Sequence, residues 1–125
     1  MENKTNIVIN FQLEGFHYFP NASIIFPEVG FLENSHRHIF HFQCKKQVNH
    51  DNRDREFILF KREIMSWLID RYGSTYSENH PPYSYYCNFG PMSCESIARE
   101  IFNFFELDQC LVSEDGENGA EIIKI

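Results

Sequence analysis

The stretch Glu33-Asn34-Ser35-His36-Arg37-His38 runs straight into an apolar segment, Ile39-Phe40-His41-Phe42. On an extended strand side chains alternate faces with a period of two, so His36 and His38 project together and can share one metal ion. His17, late in another strand-like segment, offers a third imidazole, and Glu33 places a carboxylate just ahead of the pair. Groups of these types can bind zinc and move protons. A His-x-His pair by itself is a weak motif, usually two exposed polar residues. The elements around it decide what it is. His41 falls on the opposite face and reads as structural, and His50 lies in a polar loop.

Residues 6–18 read as a strand, with Ile7, Ile9, Phe11 and Leu13 alternating against Asn6, Val8, Asn10 and Gln12, and Pro20 ends it. Residues 21–35 read as a loop broken by Pro27 and Gly30, and residues 36–48 as the second strand. Phe57, Phe60, Ile64, Trp67 and Leu68 recur at helical spacing and predict a helix over 56–72 with Gly73 as its stop. Residues 74–92, with Pro81, Pro82, Gly90 and Pro91, read as a long loop, and such loops in compact domains are often functional. Ser93-Cys94-Glu95-Ser96 is close to a capping box and opens a second helix over 93–105. Short strands follow at 109–113 and 120–125, separated by a Gly116-Glu117-Asn118-Gly119 turn. The expected order is β-β-α-α-β-β, an α+β layout with an antiparallel sheet and two helices on one face.

Length and composition limit the function classes. The 125 residues fit one domain, 1–125, with 13 Phe and 6 Tyr to fill its core. No apolar stretch is long enough to span a bilayer, and the N-terminus lacks a secretion-signal pattern, so a cytoplasmic protein without membrane partners is expected. The net charge of −7 argues against nucleic-acid binding, which needs Lys and Arg to replace counterions. Cys44, Cys87, Cys94 and Cys110 form no CxxC pair and read as reduced, mostly buried thiols. Cys94 opens a helix, where a thiol pKa can be lowered, but a structural thiol is the simpler reading.

The order of these elements, with these residues in place, resembles the 6-pyruvoyltetrahydropterin synthase family, which includes the 6-carboxytetrahydropterin synthases of the queuosine pathway. Leu13-Glu14-Gly15-Phe16-His17 is similar to the family's F-E-A-A-H, and His36-Arg37-His38 to its H-G-H. Glu56-Phe57-Ile58-Leu59-Phe60-Lys61 is similar to D-F-x-x-L-K, Ser93-Cys94-Glu95-Ser96-Ile97-Ala98 to P/T-x-E-N-x-A, and Val112-Ser113-Glu114-Asp115 to V-x-E-T. The likeness spans nearly the whole chain. It implies a T-fold whose sheets close into an oligomeric barrel, a homo-oligomer of trimers or hexamers with sites between subunits. It implies Zn2+ on His17, His36 and His38, Glu114 holding a pterin ring, and His80 as the histidine of an Asp-His pair whose Asp position is Asn79 here.

The family's cysteine ahead of H-G-H has no counterpart between residues 21 and 35; Glu33 instead gives E-x-x-H-x-H, similar to a subgroup in which a glutamate replaces that cysteine. The implied activity is that of a carbon–oxygen lyase or pterin synthase acting on the C6 side chain of 7,8-dihydroneopterin triphosphate, by elimination or side-chain cleavage, in folate, biopterin or queuosine synthesis. Glu33 would be the base and His80 its proton partner. Glu114, costly to bury alone in a short apolar strand, would take two hydrogen bonds from the amino-pyrimidine edge. Arg37, Lys45 and Lys46 are the nearest basic residues for the triphosphate, although Arg37 replaces the glycine between the ligands and adds bulk there. The alternative reading is a member that binds a pterin or purine-like ligand without turnover.

Overall fold

The computed structural model describes residues 3–80 and 83–125, with the backbone alone for 76–80 and 83–84. The elements in chain order are β1 (Thr5–His17), α1 (Ala22–Ile25), a 3-10 segment (Pro27–Glu33), β2 (His36–Val48), α2 (Phe57–Tyr72), β3 (Gly73–His80), β4 (Tyr83–Gly90), α3 (Cys94–Phe104), β5 (Gln109–Glu114) and β6 (Asn118–Ile123). The strands form one six-stranded sheet in the order β3-β4-β1-β2-β5-β6. The α+β class is as expected. The expected four-stranded antiparallel sheet is corrected to a six-stranded mixed one, because β4 joins β1 in parallel.

The extra strands come from residues 74–92, which the prolines and glycines mark as loop. This segment instead holds two antiparallel strands, β3 and β4. Pro81 and Pro82, which lie outside the described residues, fall in sequence between its two strands. Beyond them Cys87 and Phe89 are buried around exposed Asn88, the period-two alternation of a half-buried strand. The local breakers concealed that pattern. Residues 21–35 likewise hold a short helix and the 3-10 segment rather than loop alone.

Alternation in β1 buries Ile9, Phe11 and Leu13, and the antiparallel register sets them against Cys44, Phe42 and Phe40 of β2. The Phe11 and Phe42 rings stack with centroids 4.7 Å apart. Phe60, Ile64 and Leu68 of α2 and Ile97, Ala98 and Ile101 of α3 join the same buried cluster, so both helices cover one face of the sheet. Glu56 caps α2 by accepting from Leu59 N at 3.0 Å, and Ser93 caps α3 by accepting from Ser96 N at 3.1 Å. Gly73 ends α2 as expected, but its backbone is extended rather than left-handed. Glycine is needed there for space: a Cβ would stand 2.3 Å from the Ile69 carbonyl oxygen.

A second close approach lies on β1. At Gly15 a Cβ would meet ring atoms of Phe40 and Phe89 at 2.9 Å. Phe40 is fully buried and reaches under the end of the sheet that carries the histidines. Gly15→Val should therefore displace Phe40 and cost about 1–3 kcal/mol. Urea unfolding monitored by the Trp67 fluorescence measures it, and an unchanged midpoint would show that the aromatic pair yields freely.

Candidate metal centre

The β1–β2 register brings the histidines together. His17 pairs with His36 and Gly15 with His38, so the imidazoles lie on the core face one and two steps beyond the Leu13–Phe40 pair. Their ring centroids are 4.6 Å (His17–His36), 5.3 Å (His17–His38) and 5.0 Å (His36–His38) apart. Phe40 packs edge-on against both His17 and His38, at 5.1 and 5.7 Å. Glu114 pairs with Phe40 across β2–β5, and its carboxylate comes up on the same face. His17, His36, His38 and Glu114 each offer a donor atom, and those atoms all lie within 4.8 Å of one another.

The tautomers follow from the outer partners. His17 Nδ1 donates to Met92 O at 2.9 Å and His36 Nδ1 to Asn34 O at 2.8 Å, since a carbonyl can only accept. His38 Nδ1 lies 2.7 Å from Asp115 Oδ2, and the same carboxylate accepts from Ile39 N at 2.9 Å. With Nδ1 protonated in each ring, the Nε2 atoms carry lone pairs toward the shared space. His17 Nε2 is 2.8 Å and His38 Nε2 3.7 Å from Glu114 Oε2. Neither Nε2, though buried, has an aligned hydrogen bond. Close approach of acceptors without a hydrogen between them is the arrangement that a cation would satisfy. Fixing Nδ1 on a carbonyl or carboxylate is also how metal-ligating histidines are oriented.

Burial lowers the pKa of His17, against smaller opposing effects from the Met92 carbonyl and Glu114. Neutral imidazole is the form that ligates a metal. Asp115 titrates below the ordinary carboxylate value, chiefly through its bond to His38 and then through the Ile39 amide. Cys94, at the start of α3, behaves opposite to the helix-terminus expectation: desolvation first, then Glu114 and Glu95, push its thiol up to about 12.

A cavity of about 540 Å³ opens beside the cluster, lined by His17, His36 and Glu114 on one side and by Tyr18, Phe19 and Phe26 among its apolar walls. Cys94 and Glu95 close its α3 end. The donor set fits zinc: three imidazole nitrogens with a carboxylate, all four on strands.

The other sequence candidates are dispersed. Glu33, at the end of the 3-10 segment, accepts from Ser23 N at 3.1 Å and from the Ser23 hydroxyl, and is not one of the four clustered donors. His80 ends β3, paired with Tyr83, and its side chain lies outside the described residues, as does that of Asn79. Arg37 does not crowd the centre as its bulk suggests, because strand alternation turns it to the other face, where its Nε meets Glu14 Oε2 at 2.5 Å. Lys46 is also not available to a phosphate in the cavity: its Nζ caps the end of α3 at the Phe105 and Glu106 carbonyls, 3.1 and 2.8 Å away. No lysine or arginine is among the described residues lining the cavity.

Two contributors escape a residue-by-residue reading. Asp115 follows Glu114 in a turn with φ +57 at Asp115 and +72 at Gly116, and that left-handed turn folds its carboxylate back onto β2. The Asp-Gly pair was the available signal. Glu95 enters the cavity only because α3 begins at its rim.

No protein-family model matches the chain, and no curated protein matches it.

Two outcomes test this geometry. Asp115→Asn should weaken zinc binding about 10–100-fold while leaving the far-ultraviolet circular dichroism unchanged; competition with a chromophoric chelator measures it, and equal affinity would remove Asp115 from the centre. For pH, the folded-state pKa of His17 lies below its unfolded value, so below about pH 6.5 the unfolded chain binds the proton more readily. The metal-free protein should lose stability as pH falls through that value, and His17→Gln should flatten the dependence in thermal melts recorded between neutral pH and pH 5.

Proposed function

We propose that the chain is a zinc-dependent enzyme of the pterin synthase type, acting on the C6 side chain of a 7,8-dihydropterin such as 7,8-dihydroneopterin triphosphate. The observation that carries the metal part is the convergence of the three Nε2 atoms, each ring fixed through Nδ1. The pterin part rests on the sequence resemblance, and the aromatic cavity beside the cluster supports it.

Zinc bound there would supply a Lewis acid able to polarise a side-chain hydroxyl or carbonyl. The chain's own residues do the rest. Tyr18, Phe19 and Phe26 offer a planar ring apolar surroundings. Glu114 and Glu95 are carboxylates able to accept from a ring's N–H groups. Glu33 serves as base after leaving Ser23, a rearrangement that ligand binding would drive, and His80 is its proton partner. The triphosphate finds no lysine or arginine among the described lining residues. Its charge would be met by basic side chains of another copy in a homo-oligomer whose sites lie between subunits.

A second reading, binding without turnover, is favoured by one observation: the Glu33 carboxylate is engaged with Ser23. Incubating zinc-loaded protein with dihydroneopterin triphosphate, followed by mass analysis, separates the two. The enzyme reading expects a product with a dehydrated or shortened side chain, and a drop on the order of 100-fold in turnover for Glu33→Ala. Recovery of bound, unchanged pterin would establish the binder instead. Elemental analysis should find one zinc per chain, lost in a His36→Ala, His38→Ala double variant; retention by that variant would place the metal elsewhere.

A further inference from the structure

The four donors of the centre are not held alike. Each imidazole is fixed at Nδ1 by an acceptor from a loop or turn: Met92 O, Asn34 O and the Asp115 carboxylate. Glu114 has a different setting. It is the last residue of β5, its side chain is 30% exposed, and it faces the cavity together with His17 and His36. Its Oε2 reaches both His17 Nε2 and His38 Nε2. Cys94, in the first turn of α3, lines the same cavity as Glu114, and the carboxylate contributes to the rise in its thiol pKa. A thiol is a weak donor, so a hydrogen bond from it to the carboxylate would be made and broken cheaply. Glu114 therefore stands between two partners, the imidazole cluster on one side and a neutral thiol at the cavity wall on the other.

We propose that Glu114 is an exchangeable fourth ligand: its carboxylate completes the three-imidazole set when the cavity is empty, and gives way to an oxygen-donor ligand entering from the cavity, retiring onto the Cys94 thiol. The inference rests on the metal reading above. Cys94 is then a positioning residue, acting only through Glu114. The arrangement keeps a hard, negatively charged donor on the cation in the resting protein. It also leaves the freed carboxylate inside the cavity as an acceptor for N–H or O–H groups of the ligand that displaced it. The incoming ligand is thereby specified by chemistry: an oxygen donor for the metal, with a hydrogen-bond donor near it for Glu114.

Cobalt(II) loading of the full chain tests this, with acetate as the probe ligand and visible d–d absorption as the readout. The tethered carboxylate competes with acetate at a high effective concentration, so Glu114→Gln should bind acetate on the order of tenfold or more tighter than the wild type while still taking up cobalt. Glu114→Asp, which keeps the charge but shortens the reach, should fall between them and serves if Glu114→Gln does not fold. Cys94→Ala should weaken acetate binding a few-fold, because the carboxylate loses its alternative partner, and Cys94→Ser should restore it. Equal acetate affinity in wild type and both Glu114 variants would overturn the exchange. A near-ultraviolet sulfur-to-cobalt charge-transfer band lost in Cys94→Ala would make Cys94 a ligand and overturn its positioning role. Failure of the wild type to take up cobalt at all would instead overturn the metal reading beneath.

Discussion

The centre depends first on the register between β1 and β2. From Thr5 opposite Val48 to His17 opposite His36 the two strands pair without a break, so the alternation that buries Ile9, Phe11 and Leu13 also delivers His17 to the same face. A slip of one residue would send a whole strand's side chains to the other face. The apolar residues thus hold the imidazoles in phase: burying Phe40 and Phe42 and facing His36 and His38 toward His17 are one geometric condition. Gly15 belongs to it too, since the space above it is filled by Phe40 and Phe89.

Around that pair the protein gathers acceptors from unrelated places. Met92 precedes α3, Asn34 follows the 3-10 segment, and Asp115 sits in the turn after β5. Each fixes one ring at the nitrogen that points away from the shared space. The outcome is a set of lone pairs aimed inward, two of them buried without an aligned partner, close to a carboxylate. Leaving polar atoms in that condition costs stability unless something satisfies them. Among the described residues, Asn6, Asp108 and Gln109 also bury a side-chain oxygen without a partner, but only His17 and His38 bring two such atoms to one space.

Much of this was legible in the chain, and the residues show why. The period-two runs of 5–17 and 36–48 and the helical spacing of Phe60, Ile64 and Leu68 each carry their own signal, so the elements that make the core could be placed closely. The three histidines were legible because two share a strand at the right spacing. The strand pair β3 and β4 was not, since Pro81, Pro82 and Gly90 are strong local breakers while the pairing of β4 with β1 is a long-range event that no local signal records. The sequence marks Glu114 as a candidate for facing a ligand, but its place against the imidazoles follows from its pairing with Phe40, a register between distant strands. The outward turn of Arg37 follows from alternation alone and was available beforehand; its partner Glu14 was not.

The Met92 carbonyl bound to His17 has a wider consequence. The centre draws on β1, β2, the approach to α3 and the end of β5, segments far apart in sequence that meet only when the sheet is nearly complete. Contacts of such separation form late, after the entropy of closing long loops has been overcome. An unfolded or half-assembled chain has no such site to offer, so a cation held by it would bind the finished fold alone. Its binding energy would then be folding energy, spread over every element that contributes an acceptor. In that sense the centre acts as a keystone, set last and bearing at once on β1, β2, β5 and the approach to α3.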